Sequence, residues 1–382
     1  MSFESILSYY PTYSILDEVL TSGNYDTLNL YFDIKNNLQS LYMQHTIVNI
    51  VESTILSKFT NSSVFESILQ FLAFHKTYEA RRNIKINFFF FLETGKSNYH
   101  LNVSKKYKIS RRIDDLYGLD REKRDLFFSV IQKNFMILEK ACNRMPNIKV
   151  IRLPNLEADF IPFYLISRNL VDTSKNVGHL IYSNDHDLLQ CLRDDVFVYA
   201  KIPKIKKLIK KGQALRSYLK FTKNCPDEYL PLVMAIIGDP GDDVYGIKGI
   251  GGKTVEKIID EVVELVGGIE NLFQNVVKGK PIFNPDLGGN SNKHINTIIE
   301  KERSEKVISN NLKLVSFEIL SRFLDDPNST EMVDKKKLIE KSLMDNEIVE
   351  LEVMRKALEK NRITLNDSLD SIYFKKENLN AY

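Results

Sequence analysis

The chain has 382 residues, 43% of them apolar, which is enough to bury one large core or two ordinary ones. Its 53 basic and 50 acidic residues leave a net charge of +3, too small to name a nucleic-acid partner by itself, so the distribution of charge has to carry any such evidence. No stretch approaches the ~20 apolar residues of a bilayer-spanning helix, the opening MSFESILSYYPTYSILDEVL lacks the basic head of a secretory signal, and Cys142, Cys191 and Cys225 are too scattered for a disulfide framework or a zinc site, so a protein that stays in a cytoplasm without a membrane partner is expected.

Residues 28–33 (LNLYFD) predict a short buried strand, and residues 84–93 (IKINFFFFLE) a stronger one, because the run is aromatic and β-branched. Each ends on a carboxylate, Asp33 and Glu93. Between them helical spacing covers about 37–59 and 63–82, the second opened by Ser63 with Glu66 three residues on, as in a capping box. The alternation continues with a helix over about 123–143, a strand at 148–153, a helix over about 157–170 and a strand at 178–183. Strands alternating with helices predict an α/β domain with a mostly parallel central sheet flanked by helices. Ligands of such sheets lie outside the carboxyl ends of the strands, and Asp33, Glu93, Asp185 and Asp187 all fall at or just after a strand end.

Basic residues crowd into Lys105 to Arg112 (KKYKISRR) and into Lys201 to Lys223; either run taken alone is a solvated face. From Asp227 the pattern turns helical around a glycine-rich turn, DPGDDVYGIKGIGGKT, followed by an amphipathic helix over about 254–266. Beyond about Leu320 the chain is charged and helical, with no assignable motif.

The acidic residues form a series: Asp33, Glu93, Glu157 with Asp159, Asp185 with Asp187, and Asp239 with Asp242. Taken singly, each is more often a cap or turn residue. Several carboxylates on one rim, however, repel and raise one another's pKa values unless cations neutralise them. Hard oxygen ligands select Mg²⁺ or Mn²⁺. Two such ions, roughly 3.5–4 Å apart, suit displacement at a phosphodiester.

These motifs resemble, in order from about Leu28 to about Leu320, those of the 5′ nuclease (flap endonuclease) family in its bacteriophage branch. Glu93 to Arg111 is similar to the family's acidic residue, glycine turn and Tyr-Lys-x-x-Arg element, here Tyr107, Lys108 and Arg111. Glu157-Ala158-Asp159 resembles its Glu-Ala-Asp-Asp motif, SNDHDLLQ its Ser-x-Asp-x-Asp strand end, and residues 238–254 its helix-three-turn-helix. The resemblance implies that Asp33, Glu93, Glu157, Asp159 and Asp185 serve a first metal, that Asp187, Asp239 and Asp242 hold a second, and that Lys108 and Arg111 approach the scissile phosphate. It implies a duplex grip made by Tyr107, Gly246, Lys248, Gly249, Gly251, Gly252, Lys253 and Thr254, with a potassium ion at the turn.

The implied organisation is an N-terminal extension (1–24), a metal-binding nuclease domain with a helical arch around 105–145 (25–224), a duplex-binding helical subdomain (225–322) and a charged C-terminal extension (323–382). The implied activity is hydrolysis near 5′ ends of DNA or RNA–DNA duplexes, in primer and flap removal during phage or viral replication, by a monomer working beside replication proteins. Departures from the family pattern are Glu93 for aspartate, Phe160 for the final acid, His100 for an arginine and Tyr245 for a proline. A catalytically weakened nucleic-acid-binding paralogue and a PIN-type ribonuclease stay open as alternatives.

Overall fold

The computed structural model describes residues 13–33, 72, 74–108, 139, 147–202 and 205–344. The helix expected over 37–59, all but residue 139 of the one expected over 123–143, most of the expected arch and Arg111 lie outside the described residues; of the helix expected over 63–82, residues 72 and 74–82 are described and are helical.

The core is a six-stranded sheet of β1 (Thr27–Asp33), β2 (Lys85–Thr94), β3 (Ile148–Pro154), β4 (Val177–Tyr182), β5 (Val196–Ile202) and β6 (Ile205–Ile209), in the order β3-β2-β1-β4-β5-β6. The β3/β2, β2/β1, β1/β4 and β4/β5 pairs are parallel, and β5/β6 is antiparallel. β1 and β4 are buried along nearly their whole length, the pattern of a parallel sheet covered on both faces. Aromatic side chains tie β1 to β2: Tyr31 stacks on Phe89 at 5.1 Å, and Phe32 meets Phe90 edge-on at 5.8 Å. The antiparallel strand β6 was hidden in the sequence by its lysines.

Residues placed before the first predicted strand belong to this unit. Helix α1 (Tyr13–Gly23) buries Leu16 and Val19 completely, and its Asp17 accepts hydrogen bonds from Tyr78 Oη (2.6 Å) and Arg82 Nη2 (2.5 Å). After β2 comes the short helix α2 (Asn98–Val103), capped by the Ser97 hydroxyl. Helix α3 occupies Ile161–Ser167, shorter than the expected 157–170. Pro162 in its first turn fixes the start, and Asn169 in a left-handed conformation follows its end.

α4 (Ala214–Leu219) leads to α5 (Leu230–Ile237), whose side chains are almost all buried, and then to a two-stranded ribbon of β7 (Gly238–Asp239) and β8 (Val244–Tyr245). The helical part continues through α6 (Gly252–Leu265), α7 (Ile269–Val277), α8 (Lys293–Glu305), α9 (Val307–Val315) and α10 (Phe317–Leu324). Asn311 of α9 donates from Nδ2 to the carbonyls of Ala235 (2.8 Å) and Tyr245 (2.9 Å), tying α9 to α5 and the ribbon.

Helix α11 (Thr330–Leu343) lies in the expected C-terminal extension, yet it packs back on the edge strand β3, burying Met332 and Ile339 while Lys335 donates to the carbonyl of Pro154. Asp325 joins α3, α10 and α11 by accepting from Tyr164, Arg168 and Lys336. Among the described residues no helix is long and apolar enough to cross a membrane.

Candidate metal centre and nucleic-acid interface

Because β1 through β5 run parallel, their carboxyl ends share one edge, and β1 has β2 on one side and β4 on the other, which makes the β1/β4 boundary the switch point of the sheet. Asp33 closes β1 there and is 5% exposed. Glu93 lies near the end of β2, in register with Leu153 of β3; its side chain is outside the described residues. Beyond β4 the Ser183 hydroxyl accepts from the Asp185 amide (2.9 Å), and Asp185 Oδ1 accepts from the Asp187 amide (3.0 Å), capping a 3₁₀ turn over His186–Cys191.

Glu157 and Asp159 stand in the loop between β3 and α3, not inside a helix as expected. On the other side, the buried helix α5 delivers Asp239 and Asp242. Asp239 Oδ1 accepts from the Gly241 amide (2.9 Å), which caps the 3₁₀ turn Pro240–Asp242.

Tyr107 and Lys108 join these loops. The Lys108 amide donates to the Asp242 carbonyl (3.0 Å), with Lys108 at φ 51°. Its ammonium lies 2.6 Å from Glu157 Oε1 and 3.2 Å from Asp242 Oδ2. The Tyr107 hydroxyl is within 3.0 Å of Glu157 Oε2 and 3.1 Å of Asp242 Oδ2, and its single proton serves the two in turn. Tyr107, expected at the duplex surface, is instead 6% exposed, with its ring stacked on His100 at 4.7 Å, so it supports the acidic loops from beneath.

The electrostatics show how closely these groups are gathered. Burial, and after it the charges of Asp185, Asp242 and Asp239, push the Asp187 carboxyl well above the usual carboxylate range, with Lys108 pulling the other way. Burial disfavours the Lys108 charge, but Glu157 and Asp242 outweigh it and hold the ammonium above its ordinary value; Asp159 adds to this. Burial would raise Glu157, yet His100, Lys108 and the hydrogen bonds from Lys108 and Tyr107 lower it to about 2. Glu157, Asp159, Asp185, Asp187, Asp239 and Asp242 are therefore brought into one another's field, while Asp33 shares their edge through the sheet.

As the side chains are placed, no three Asp, Glu, His or Cys residues among those described form a group that would hold one ion. The Lys108 ammonium stands between Glu157 and Asp242 as their counter-charge. The donor set is otherwise all carboxylate oxygen, and the raised Asp187 marks a rim that gains from added positive charge, so the chemistry fits hard divalent cations. Sequence reasoning missed His186 and Tyr218, whose rings meet at 5.6 Å beside Asp187 and Asp239; only the burial of Tyr218 and its nearness to those two aspartates reveal it.

The glycine-rich turn leaves the ribbon at Gly246, where a Cβ would stand 2.1 Å from the backbone carbon of Ile237, so only glycine lets the two chains meet. Gly249 adopts φ 84° over open space, and Gly251 caps α6 without a side chain, leaving the helix start bare. Lys248 and Lys253 are exposed with no ion pair among the described residues, and Thr254 closes its amide onto the Gly251 carbonyl (3.0 Å). In the other basic run Lys210, Lys211 and Lys223 pair with Glu18, Asp194 and Asp260, as a solvated face does.

No family model matches the chain. A flap endonuclease of Escherichia phage T5 is 26% identical over 225 residues, 56% of this chain and 67% of that protein. A 5′-3′ exonuclease of Aquifex aeolicus is 30% identical over 132 residues, and the DNA polymerase I of Caldicellulosiruptor bescii is 30% identical over 142. The chain spans 41% of the exonuclease and 15% of the polymerase. Among solved structures, the phage T5 protein co-crystallised with metal ions aligns over 83% of this chain and all of that one, with a TM-score of 0.55 at 17% identity, a likeness of fold. A complex of the phage T5 flap endonuclease with DNA and metal ions aligns at a TM-score of 0.54 and 19% identity, over 83% of this chain and 99% of that one. By its ordered motifs and these relatives the chain is similar to the 5′ nucleases (flap endonucleases), and its sheet has the fold of the phage T5 protein.

Proposed function

We propose that this chain is a divalent-metal-dependent 5′ nuclease that hydrolyses phosphodiester bonds near the 5′ ends and flaps of DNA. The observation that carries the reading is the gathering of Glu157, Asp159, Asp185, Asp187, Asp239 and Asp242 at the carboxyl edge of the sheet, around Lys108. Asp33, Glu93, Glu157, Asp159 and Asp185 would hold one Mg²⁺ or Mn²⁺, and Asp187, Asp239 and Asp242 a second. When bound, such ions supply an activated water and neutralise charge on the leaving oxygen. The phage T5 relative is named a flap endonuclease, and one structure of it holds DNA and metal ions, which supports the same substrate class here.

The chain's own part is to place cations and amides against phosphate. Lys108, already anchored through its backbone to Asp242, offers a positioned ammonium beside the reacting phosphate. Arg111, by family resemblance, adds a second. Gly246, Lys248, Gly249, Gly251, Gly252, Lys253 and Thr254 bring a helix start without a side-chain cap and the unpaired cations Lys248 and Lys253 to the duplex backbone. Residues 225–322 are then the duplex-binding part and 25–224 the catalytic part. RNA–DNA hybrids, a potassium ion at the turn, replication partners and a monomeric state in a cytoplasm belong to the same proposal.

The test is incubation of a 5′-labelled flap duplex with the protein in Mg²⁺, in Mn²⁺ and in chelator, beside Asp185→Asn. Metal-dependent release of the labelled flap that the substitution abolishes is the expected result. An intact substrate with wild type in both metals defeats the nuclease reading, and equal cutting of unstructured RNA replaces it with a PIN-type ribonuclease.

A further inference from the structure

The helical part carries a second basic concavity on another face of α9 from the one that holds the ribbon. On α9, Ile308, Asn311, Leu312 and Val315 are buried, with Asn311 bonded to α5 and β8. The adjoining face presents Ser309, Asn310 and Lys313 to a cavity of about 360 Å³ that also borders α7, α8 and the loop over residues 279–285. The volume suits a ligand the size of one nucleotide.

Three features make it an anion site. Lys280, Lys306 and Lys313 line it, and none has an ion pair among the described residues. The lining carries one carboxylate, Glu302, whose oxygens are engaged by the Ile308 amide (2.7 Å), the Ser309 amide (3.1 Å) and the Ser309 hydroxyl. Glu302 thus caps α9, whose own N-cap residue, Lys306, makes no side-chain cap. The loop is fixed in place, because Arg303 Nη2 donates to the carbonyls of Asn284 (3.0 Å), Pro285 (3.1 Å) and Leu287 (2.9 Å). Val276, Ile282 and Phe283 give the cavity an apolar floor.

We propose that this cavity binds a nucleotide, its phosphate among Lys280, Lys306 and Lys313 and its base against the floor of Ile282 and Phe283. Cations above an apolar surface select a ligand that joins an anion to a flat apolar group. The choice of a nucleotide over other organophosphates rests on the nuclease reading, while the anion site itself does not. The source is either a free mononucleotide or a terminal residue of a strand.

Titration calorimetry on the full chain in chelator, where no cutting occurs, separates the two readings. Thymidine 5′-monophosphate should bind about tenfold tighter than thymidine or inorganic phosphate, and Lys280→Glu with Lys313→Glu should weaken it by at least about tenfold, the loss of one charge-assisted contact. Lys248→Glu, in the glycine turn, should leave it unchanged. Should the double variant fail to fold, Lys306→Ala tests the same rim. A short 5′-phosphorylated strand that displaces the mononucleotide identifies a strand end as the ligand; failure to displace identifies the free nucleotide. Absence of mononucleotide binding, binding indifferent to these lysines, or displacement by an acidic peptide alone overturns the proposal, even where flap cleavage persists.

Discussion

Lys108 shows how one residue can set the charge balance of a whole rim. Its ammonium is the counter-ion of Glu157 and Asp242, and the three side chains are 24%, 16% and 8% exposed. Removing one partner of a buried pair leaves the other charge uncompensated, which costs more than the pair itself contributes. Partial exposure screens part of that cost, so Lys108→Met is expected to lower stability in chelator by about 2 kcal/mol, below the range for a fully buried pair. Magnesium should restore more of the loss in the variant than it adds to wild type, because cations then supply the missing charge. Denaturant midpoints in chelator and in magnesium measure both effects; equal midpoints for the two proteins in chelator would refute this role for Lys108. At this scale the sequence showed which residue types carry the chemistry. It did not show that Tyr107 lies beneath the carboxylates, because burial of a tyrosine in a basic run depends on His100 stacking against it.

Among the elements, the glycine-rich turn separates two kinds of constraint. At Gly246 an added methyl meets the backbone of Ile237 at 2.1 Å, and backbone cannot step aside without moving α5 or the ribbon. At Gly249 the same methyl meets nothing within 4 Å, and the only cost is φ 84°. Gly246→Ala is therefore expected to cost about 3 kcal/mol or more and Gly249→Ala about 1–2 kcal/mol, read as differences in thermal or urea unfolding. Equal losses at the two positions would show that backbone conformation, not close approach, decides the turn. Strands β1, β2, β3 and β4 were legible because buried parallel strands read as apolar runs. β5 and β6 were not, since lysines are interleaved with the apolar residues from Lys201 onward in VFVYAKIPKIKKLI. The place of α11 on β3 was equally hidden, because its three consecutive lysines read as solvated although Lys335 is buried on Pro154.

For the molecule as a whole, the sheet that positions the rim also gives stability its acid dependence. His179 sits fully buried in β4, between β1 and β5, with Nδ1 2.9 Å from the Tyr31 hydroxyl and Nε2 3.8 Å from Asp195, too long for a hydrogen bond. Burial lowers its pKa to about 4; Asp195 and Asp172 oppose the shift, and Arg193 adds to it. The unfolded chain titrates near the ordinary histidine value of about 6.5. Between these two values the unfolded state binds a proton that the folded state refuses, so the stability contributed by neutral His179 is complete above about 6.5 and falls as pH drops toward about 4. The limiting slope for one proton is about 1.4 kcal/mol per pH unit. His179→Phe keeps a ring in the sheet but cannot titrate; removing the Tyr31–His179 hydrogen bond, it should be less stable at neutral pH, yet its stability should decline less steeply across this window. Urea unfolding at a series of pH values compares the slopes, and a variant that loses stability with acid as steeply as wild type would place the acid sensitivity elsewhere in the fold.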